Sequence, residues 1–298
     1  MDVRALEALR AVRSQGGVTG AAGALHLTPS AVSQQLAALQ REVATPLTER
    51  VGRGLRLTPA GEALADAALD VAVALERARA AVDDFAASPT GSVRVSAFAS
   101  GAQLLLPALL TRVAEVGGID VDCTDEDVAQ DEFAGLTDRY DVVVAHRPDG
   151  SRTWGDAVRT VPLLREPIDL AVAPDHPLAD RASVDAAELA GQRWVAVREG
   201  FPVWSVLAVI GAASGAEPRV VHRINDFHVA ASFVAAGHGV SLLPRYTFGA
   251  AGHVRLVPLT GVRAGRRVDA LLRPDRAERL VVRRLLDELR EVAAAVVR

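Results

Sequence analysis

Apolar positions in the first 58 residues recur at helical spacing. Val3, Leu6, Leu9 and Val12 fall about one turn apart and predict a helix over 3–13, which Gly16-Gly17 ends. Thr19 is placed to cap a short second helix running to Leu25. Thr28-Pro29 opens a third, with threonine at the N-cap and proline in the first turn. There Val32, Leu36, Leu39 and Val43 form a stripe roughly 60° wide at about 100° per residue. Ser30, Gln34, Ala37 and Arg41 lie opposite the stripe and Ser33 flanks them. Residues 47–58 read as a tight hairpin whose turn Gly52 and Gly54 permit, with Arg50, Arg53 and Arg56 around it. Three helices and a basic hairpin predict a winged helix-turn-helix.

Thr58-Pro59 is a second cap pair, and Gly61 is the one helix breaker before about Ala87. Leu64, Ala68, Val71, Leu75, Ala78, Val82 and Phe85 alternate steps of four and three, the seam of a two-helix coiled coil. The expected rod is about 44 Å long at 1.5 Å per residue. Such a stripe also suits a helix packed on its own domain. The three-helix head accounts for its own core, so the seam is expected to join two copies. Ser88-Pro89-Thr90-Gly91 reads as a hinge.

Beyond Gly91 the pattern alternates between strands and helices. Strands are expected at 93–98, 119–123, 141–145, 168–173, 194–197, 219–224, 240–243, 254–259 and 267–272. Helices are expected at 101–115, 184–190, 203–213, 226–236 and 275–297, with Asp226 capping the fourth and Gly237 stopping it. This alternation predicts an α/β body of parallel sheets covered on both faces. Ligands then sit at strand carboxyl ends and helix amino ends, by default in a cleft between two lobes. Ser100, Gly101 and Gln103 lie where the first strand becomes a helix, and their amides and polar groups suit an anion. His146 and Arg147 follow the third strand, Gly200, Phe201 and Trp204 follow a later one, and Phe227 and His228 open a helix. Each alone also fits core packing or an ordinary surface.

The length of 298 residues suggests about two domains at roughly 100–200 residues each. A hydrophobic fraction of 50% and a charged fraction of 23% fit an ordinary globular protein. The formal charge of −4 divides unevenly: the first 58 residues carry +3 and the remainder −7. A basic head on an acidic body points to a polyanion for the head alone. A small polar helix face beside a basic hairpin fits a major-groove reader with phosphate contacts, and equally a solvated surface. The cluster Asp120, Asp122, Asp125, Glu126, Asp127, Asp131 and Glu132 contains no base, and reads either as selecting a cationic effector or as a solvated edge.

The single Cys123 excludes a disulfide within the chain and a multi-cysteine metal site. No run approaches the ~20 apolar residues of a membrane span, and the N-terminus lacks a signal-peptide pattern, so a cytoplasmic protein is expected. Metalloprotease, phosphate-loop, Gly-x-Ser-x-Gly and Cys-x-x-Cys signatures are missing, so no enzyme, cofactor or metal is expected. A transport binding protein would share the body but not the head.

The residues that tie these features together are Ala21-Ala22, the run from Leu25 through Thr28-Pro29-Ser30-Ala31-Val32-Ser33-Gln34-Gln35-Leu36, and Leu39-Gln40-Arg41-Glu42. Pro46-Leu47, Glu49-Arg50 and Leu57-Thr58-Pro59-Ala60-Gly61 follow. This ordered pattern resembles the LysR-type transcriptional regulators, densely over 1–65 and more loosely to the C-terminus. The resemblance implies that Pro29, Ser30, Ser33 and Gln34 face an operator while Arg53 works from the wing; Thr28 at the helix start and Arg50 and Arg56 on the hairpin are expected to join them at the DNA. It implies a dimerising linker helix, a dimer on two related half-sites that associates further to a tetramer, and a body like a periplasmic binding protein with two crossover strands. The expected domains are 1–58, a linker at 59–88, and an effector-binding domain at 91–298. Its lobes are expected at 92–160 with 266–298, and at 161–265. Expected partners are promoter DNA, a small-molecule effector, a second copy and RNA polymerase, with no membrane.

Overall fold

A computed structural model describes residues 1–52, 54–83, 90–151, 153–201, 203–249 and 252–298. Arg53 and Phe85 lie outside the described residues, as do 84–87 of the expected rod and Ser88-Pro89 of the expected hinge. The head comprises α1 (Val3–Ser14), α2 (Val18–Ala24), α3 (Pro29–Glu42), the hairpin β1 (Thr48–Val51) and β2 (Gly54–Leu57), and the start of α4 (Pro59–Asp83). Asp2 caps α1, accepting from the Arg4 amide at 2.9 Å, and Thr28 caps α3 through the Ala31 amide at 3.2 Å. Thr19 does not cap α2. The helix begins one residue earlier, at Val18, and Gly17 with φ 152° makes the entry turn that a side chain would resist.

The junction of hairpin and α4 explains several sequence features. Thr58 accepts from the Gly61 amide at 3.1 Å and donates to the Pro46 carbonyl at 2.6 Å. Gln40 accepts from the Leu47 amide at 2.8 Å and donates to the Thr45 carbonyl at 3.1 Å, tying the end of α3 to the hairpin. Gly61 sits so close beneath the chain that a Cβ there would lie 2.0 Å from the Leu47 carbonyl oxygen.

The head core joins Leu6, Leu9, Val12, Val32, Leu36 and Leu39 with Ala65 and Ala68 of α4, and Leu64 packs against it. This corrects one expectation: Leu64 and Ala68 complete the head rather than an intermolecular seam, because α4 still packs along α1 for its first turns. Farther along, Val71, Leu75, Ala78 and Val82 are exposed.

The body's first lobe contains β3 (Gly91–Ala97), α5 (Ala99–Val116), β4 (Ile119–Asp125), α6 (Phe133–Leu136) and β5 (Val142–Pro148). The long β6 (Arg159–Val172) crosses to the second lobe. There follow β7 (Val184–Asp185), β8 (Arg193–Ala196), α7 (Trp204–Ser214), β9 (Arg219–Arg223) and α8 (Phe227–Ala235). Next come β10 (Ser241–Pro244), α9 (Arg245–Phe248), β11 (Arg255–Val257) and β12 (Leu259–Thr260). β13 (Gly265–Leu272) returns to the first lobe and α10 (Leu280–Val297) covers it.

The main sheet has the order β10-β6-β13-β5-β3-β4, with β11 also on β6. β3 is parallel to β4 and β5, while β13 is antiparallel to both β5 and β6. The sheet is therefore mixed rather than parallel throughout, because β6 and β13 run in opposite directions between the lobes. β6 pairs with β13 through Pro167 and with β10 and β11 beyond it. Val161, Leu163 and Leu164 pack in the first lobe's core, so the chain leaves that lobe near Pro167 and not at 161. The helix expected at 184–190 is the short β7 and a single 3-10 turn at Ala186–Leu189, reciprocally capped by Asp185 and Glu188. Pro258, which has no amide to donate, separates β11 from β12 where one strand was expected. The last helix is preceded by a separate 3-10 turn at Arg276–Glu278.

The head docks on the first lobe through buried charge. Arg10, Ser14 and Gln15 at the end of α1 converge on Asp138, which follows α6. Arg273 lies 3.5 Å from Asp138 and 3.6 Å from Glu7, and pairs with Asp275 at 2.6 Å. Asp141 receives Arg276 and Arg279 on the same side of the lobe. Burial pushes the carboxyls of Asp138, Asp141 and Asp275 up. The adjoining arginines and hydrogen bonds outweigh it and hold all three below the usual range.

Two outcomes are expected. Gly61→Ala forces the Leu47 carbonyl to move and should destabilise the head by about 1–3 kcal/mol, read by calorimetry as an earlier head transition. The three carboxyls are lowered in the folded state, so their stabilisation is complete above an unfolded pKa of about 4 and is lost as pH falls below it. Thermal midpoints should therefore fall between about pH 5 and pH 3, less steeply in Asp138→Asn.

Candidate nucleic-acid interface and interlobe cleft

On the head, Thr28, Pro29, Ser30, Ser33 and Gln34 are all exposed, on the side of α3 away from Val32, Leu36 and Leu39. The Ser33 hydroxyl donates to the Pro29 carbonyl at 2.9 Å, leaving its oxygen as an acceptor. Arg50 and Arg56 are exposed on β1 and β2, where Arg56 lies opposite Glu49. The head's charge is less available than its sequence total suggests. Arg10 is buried against Asp138, and Arg13 pairs with Asp66 on α4. Among the described residues, the exposed arginines of the head outside these pairs are Arg4, Arg41, Arg50 and Arg56.

Between the lobes lies a cavity of about 420 Å³. Six of the ten residues expected there line it: Ser100, Gln103, His146, Phe201, Phe227 and His228. The other four do not. Arg147 turns away to donate to Asp269 at 2.8 Å and to the Ser151 carbonyl at 3.2 Å. Trp204 packs on the second lobe's core, and Gly200 lies in an exposed turn with φ 91°. Gly101 acts one layer behind: a Cβ there would meet the Phe98 ring at 2.5 Å, so the glycine lets that ring fold beneath the start of α5.

Arg266 and Glu166 make the floor. They are cross-strand partners on β13 and β6, 2% and 0% exposed. Arg266 donates to Glu166 through Nε at 2.9 Å and Nη2 at 2.6 Å, and to the Ser100 hydroxyl at 3.0 Å. The other Glu166 oxygen accepts from the amides of Tyr246 and Thr247, both at 3.1 Å. One ion pair thus joins both crossover strands, the start of α5 in the first lobe and α9 in the second. The Arg266 guanidinium also lies 4.8 Å from the Phe98 ring centre.

His146 stacks on Phe98 with ring centres 4.3 Å apart. Burial, and secondarily Arg266, holds its pKa well below the usual value, so the imidazole is neutral near pH 7. Its Nδ1 is buried without a hydrogen-bond partner. Gln103 and His228 meet across the cleft at 2.8 Å, linking α5 to α8. Sequence reasoning missed Phe98, Phe248, Asn225 and Arg266 as lining residues, and treated Asp226 only as a cap. Arg266 has no local signal that separates it from Arg263 or Arg267; its partner is 100 positions away.

Among the described residues no cluster of three or more His, Cys, Asp or Glu could hold a metal, and no helix is long and apolar enough to cross a membrane.

The family model "Bacterial regulatory helix-turn-helix protein, lysR family" matches residues 3–62, and "LysR substrate binding domain" matches 86–294. A small neutral protease regulatory protein of Streptomyces coelicolor is 30% identical over 299 residues, covering 95% of this chain and 85% of that protein. The transcriptional dual regulator GltC of Bacillus subtilis is 28% identical, covering 83% of this chain and 82% of its own length. Among solved structures, full-length OxyR from Pseudomonas aeruginosa matches with TM-score 0.67 at 20% identity, covering 98% of this chain and 94% of that one. CbnR matches with TM-score 0.55 at 23% identity, covering 97% of this chain and 100% of that one. The chain belongs to the LysR family: it is a transcriptional regulator and not an enzyme, with a helix-turn-helix DNA-binding domain joined to an effector-binding domain.

Proposed function

We propose that this regulator binds a pseudo-palindromic promoter site as a dimer or tetramer in the cytoplasm and responds to a small molecule held between the lobes of its body. In this reading 1–58 read DNA, 59–88 link the subunits and 91–298 sense the effector. Thr28, Pro29, Ser30, Ser33 and Gln34 enter the major groove, where short polar side chains allow close approach to base edges. Arg50, Arg53 and Arg56 hold phosphates or the minor groove. The observation that carries the reading is the exposed face of α3 with Thr28, Ser30, Ser33 and Gln34, beside a hairpin that exposes Arg50 and Arg56. CbnR, of the same fold, has been solved with its target DNA. Val71, Leu75, Ala78, Val82 and Phe85 join two linker helices, and altered placement of the two heads changes recruitment of RNA polymerase.

The test is binding to the DNA upstream of the protein's own coding region, followed by anisotropy at rising salt. Gln34→Ala should cost about 1–3 kcal/mol and relax sequence preference; Arg50→Ala or Arg56→Ala should weaken all sequences alike and reduce the salt slope by about one. Unchanged specific binding by a Gln34→Ala, Arg53→Ala double variant would overturn the assignment. Val71→Asp with Leu75→Asp should yield monomers in analytical ultracentrifugation, because these exposed side chains support no core of the same chain.

A further inference from the structure

We infer that the ligand of the interlobe cleft is an α-amino acid with an apolar side chain, bound as a zwitterion, an inference that rests on the cleft being the effector site. Three groups of residues, each suited to one part of such a molecule, converge on the cavity.

The carboxylate end is the first turn of α5. Its N-cap residue is Phe98, which offers no side-chain acceptor to the amides of that turn. An 18-residue helix leaves a positive end there. Ser100 stands in the same turn and already accepts from Arg266, so its own proton is free to donate. The bonds of Arg266 engage Nε and Nη2 and leave Nη1 over. His146, 7% exposed and lining the same cavity, is neutral and its Nδ1 has no partner. A buried polar atom left unpaired is costly, and in the tautomer with the proton on Nδ1 the ring donates to a bound carboxylate.

The ammonium end lies at the rim. Asp127 follows β4 in the first lobe and Asp226 caps α8 in the second, and both line the cavity. Asp226 uses Oδ1 for the amides of His228 and Val229, leaving Oδ2 open. Partial burial raises the Asp127 pKa; Arg266 opposes this, and Asp125 and Asp226 reinforce it. Asp226 is among the charges that raise it, so the two carboxylates on opposite lobes repel one another. A ligand ammonium between them removes that repulsion. This gives the ligand the preference for one lobe arrangement that any population shift requires.

Val197, Phe201, Val203, Phe227 and Phe248 supply the apolar part of the lining, against which a hydrocarbon side chain packs. The cavity is at the small end of the roughly 300–1,000 Å³ typical of ligand sites.

The test is calorimetric titration of the full-length protein with L-phenylalanine and L-leucine, with 3-phenylpropanoate and phenethylamine as controls that each lack one charge. At least one amino acid should bind, and its matched control should bind at least ten-fold more weakly. Asp127→Asn should narrow the gap between L-phenylalanine and 3-phenylpropanoate, and Ser100→Ala the gap between L-phenylalanine and phenethylamine. Ala99→Trp, at an exposed position that lines the cavity, should block binding without changing the thermal midpoint of the free protein. If 3-phenylpropanoate binds as tightly as L-phenylalanine and Ala99→Trp still blocks it, the zwitterion is wrong and the cleft stands. If binding survives Ala99→Trp, the cleft reading is wrong. If neither amino acid binds, the inference is overturned.

Discussion

The Glu166–Arg266 ion pair is the constraint on which the body depends. It lies where the two crossover strands leave one lobe for the other, and both partners are almost wholly buried. Two charges taken out of water are tolerated only when their remaining hydrogen-bonding capacity is met. Glu166 meets its own through the α9 amides, and Arg266 meets part of its own through Ser100, with Nη1 left over. Losing either partner would strand the other in a low-dielectric interior, a cost of about 3–5 kcal/mol in comparable sites. The same pair also forms the floor of the cleft. The lobe connection and the floor of the cleft are therefore one structure.

Much of this architecture was legible in the sequence because it rests on local chemistry. The stripe Val32, Leu36, Leu39 and the Thr28-Pro29 cap predict α3, its start and its outward face. Asp226 marks the start of α8, and the run at 141–145 marks a strand buried on both sides. The positions around Ser100 and Phe227 followed from a topological rule about where ligands sit in α/β sheets, which holds whatever the sequence of the lobes. β6 is longer than the strand expected at 168–173: it starts at Arg159 and passes both Pro162 and Pro167. In the structure each falls where a ladder can lose a donor, at a register shift and at the change of lobe.

What stayed illegible depends on pairs far apart in the chain. Arg10 looked like one more positive charge on a DNA-binding head, but its partner is 128 positions away in the body. Arg147 stood at the right strand end, but Asp269 on the neighbouring β13 draws it out of the cleft. Leu64 and Ala68 obeyed a seven-residue repeat, yet the repeat does not say which partner covers each position. Here the head covers the first two, and Val71, Leu75, Ala78 and Val82 stay exposed. A charge or an apolar stripe states a need in the sequence; only the fold supplies what answers it.

The contact between head and body shows why that answer is charged. An apolar patch large enough to fix the head would, once separated, expose surface that favours redocking or aggregation. Arg10, Asp138, Arg273, Glu7 and Asp275 form a contact of defined geometry whose members regain hydration when parted, so its net strength is modest even though it is buried. Asp138 follows α6, whose Phe133 lies against His146 with ring centres 5.7 Å apart, and His146 lines the cleft. The head therefore rests on the short segment directly behind the ligand site. The position of the head is thus set by ion pairs anchored on that segment rather than by a shared apolar core.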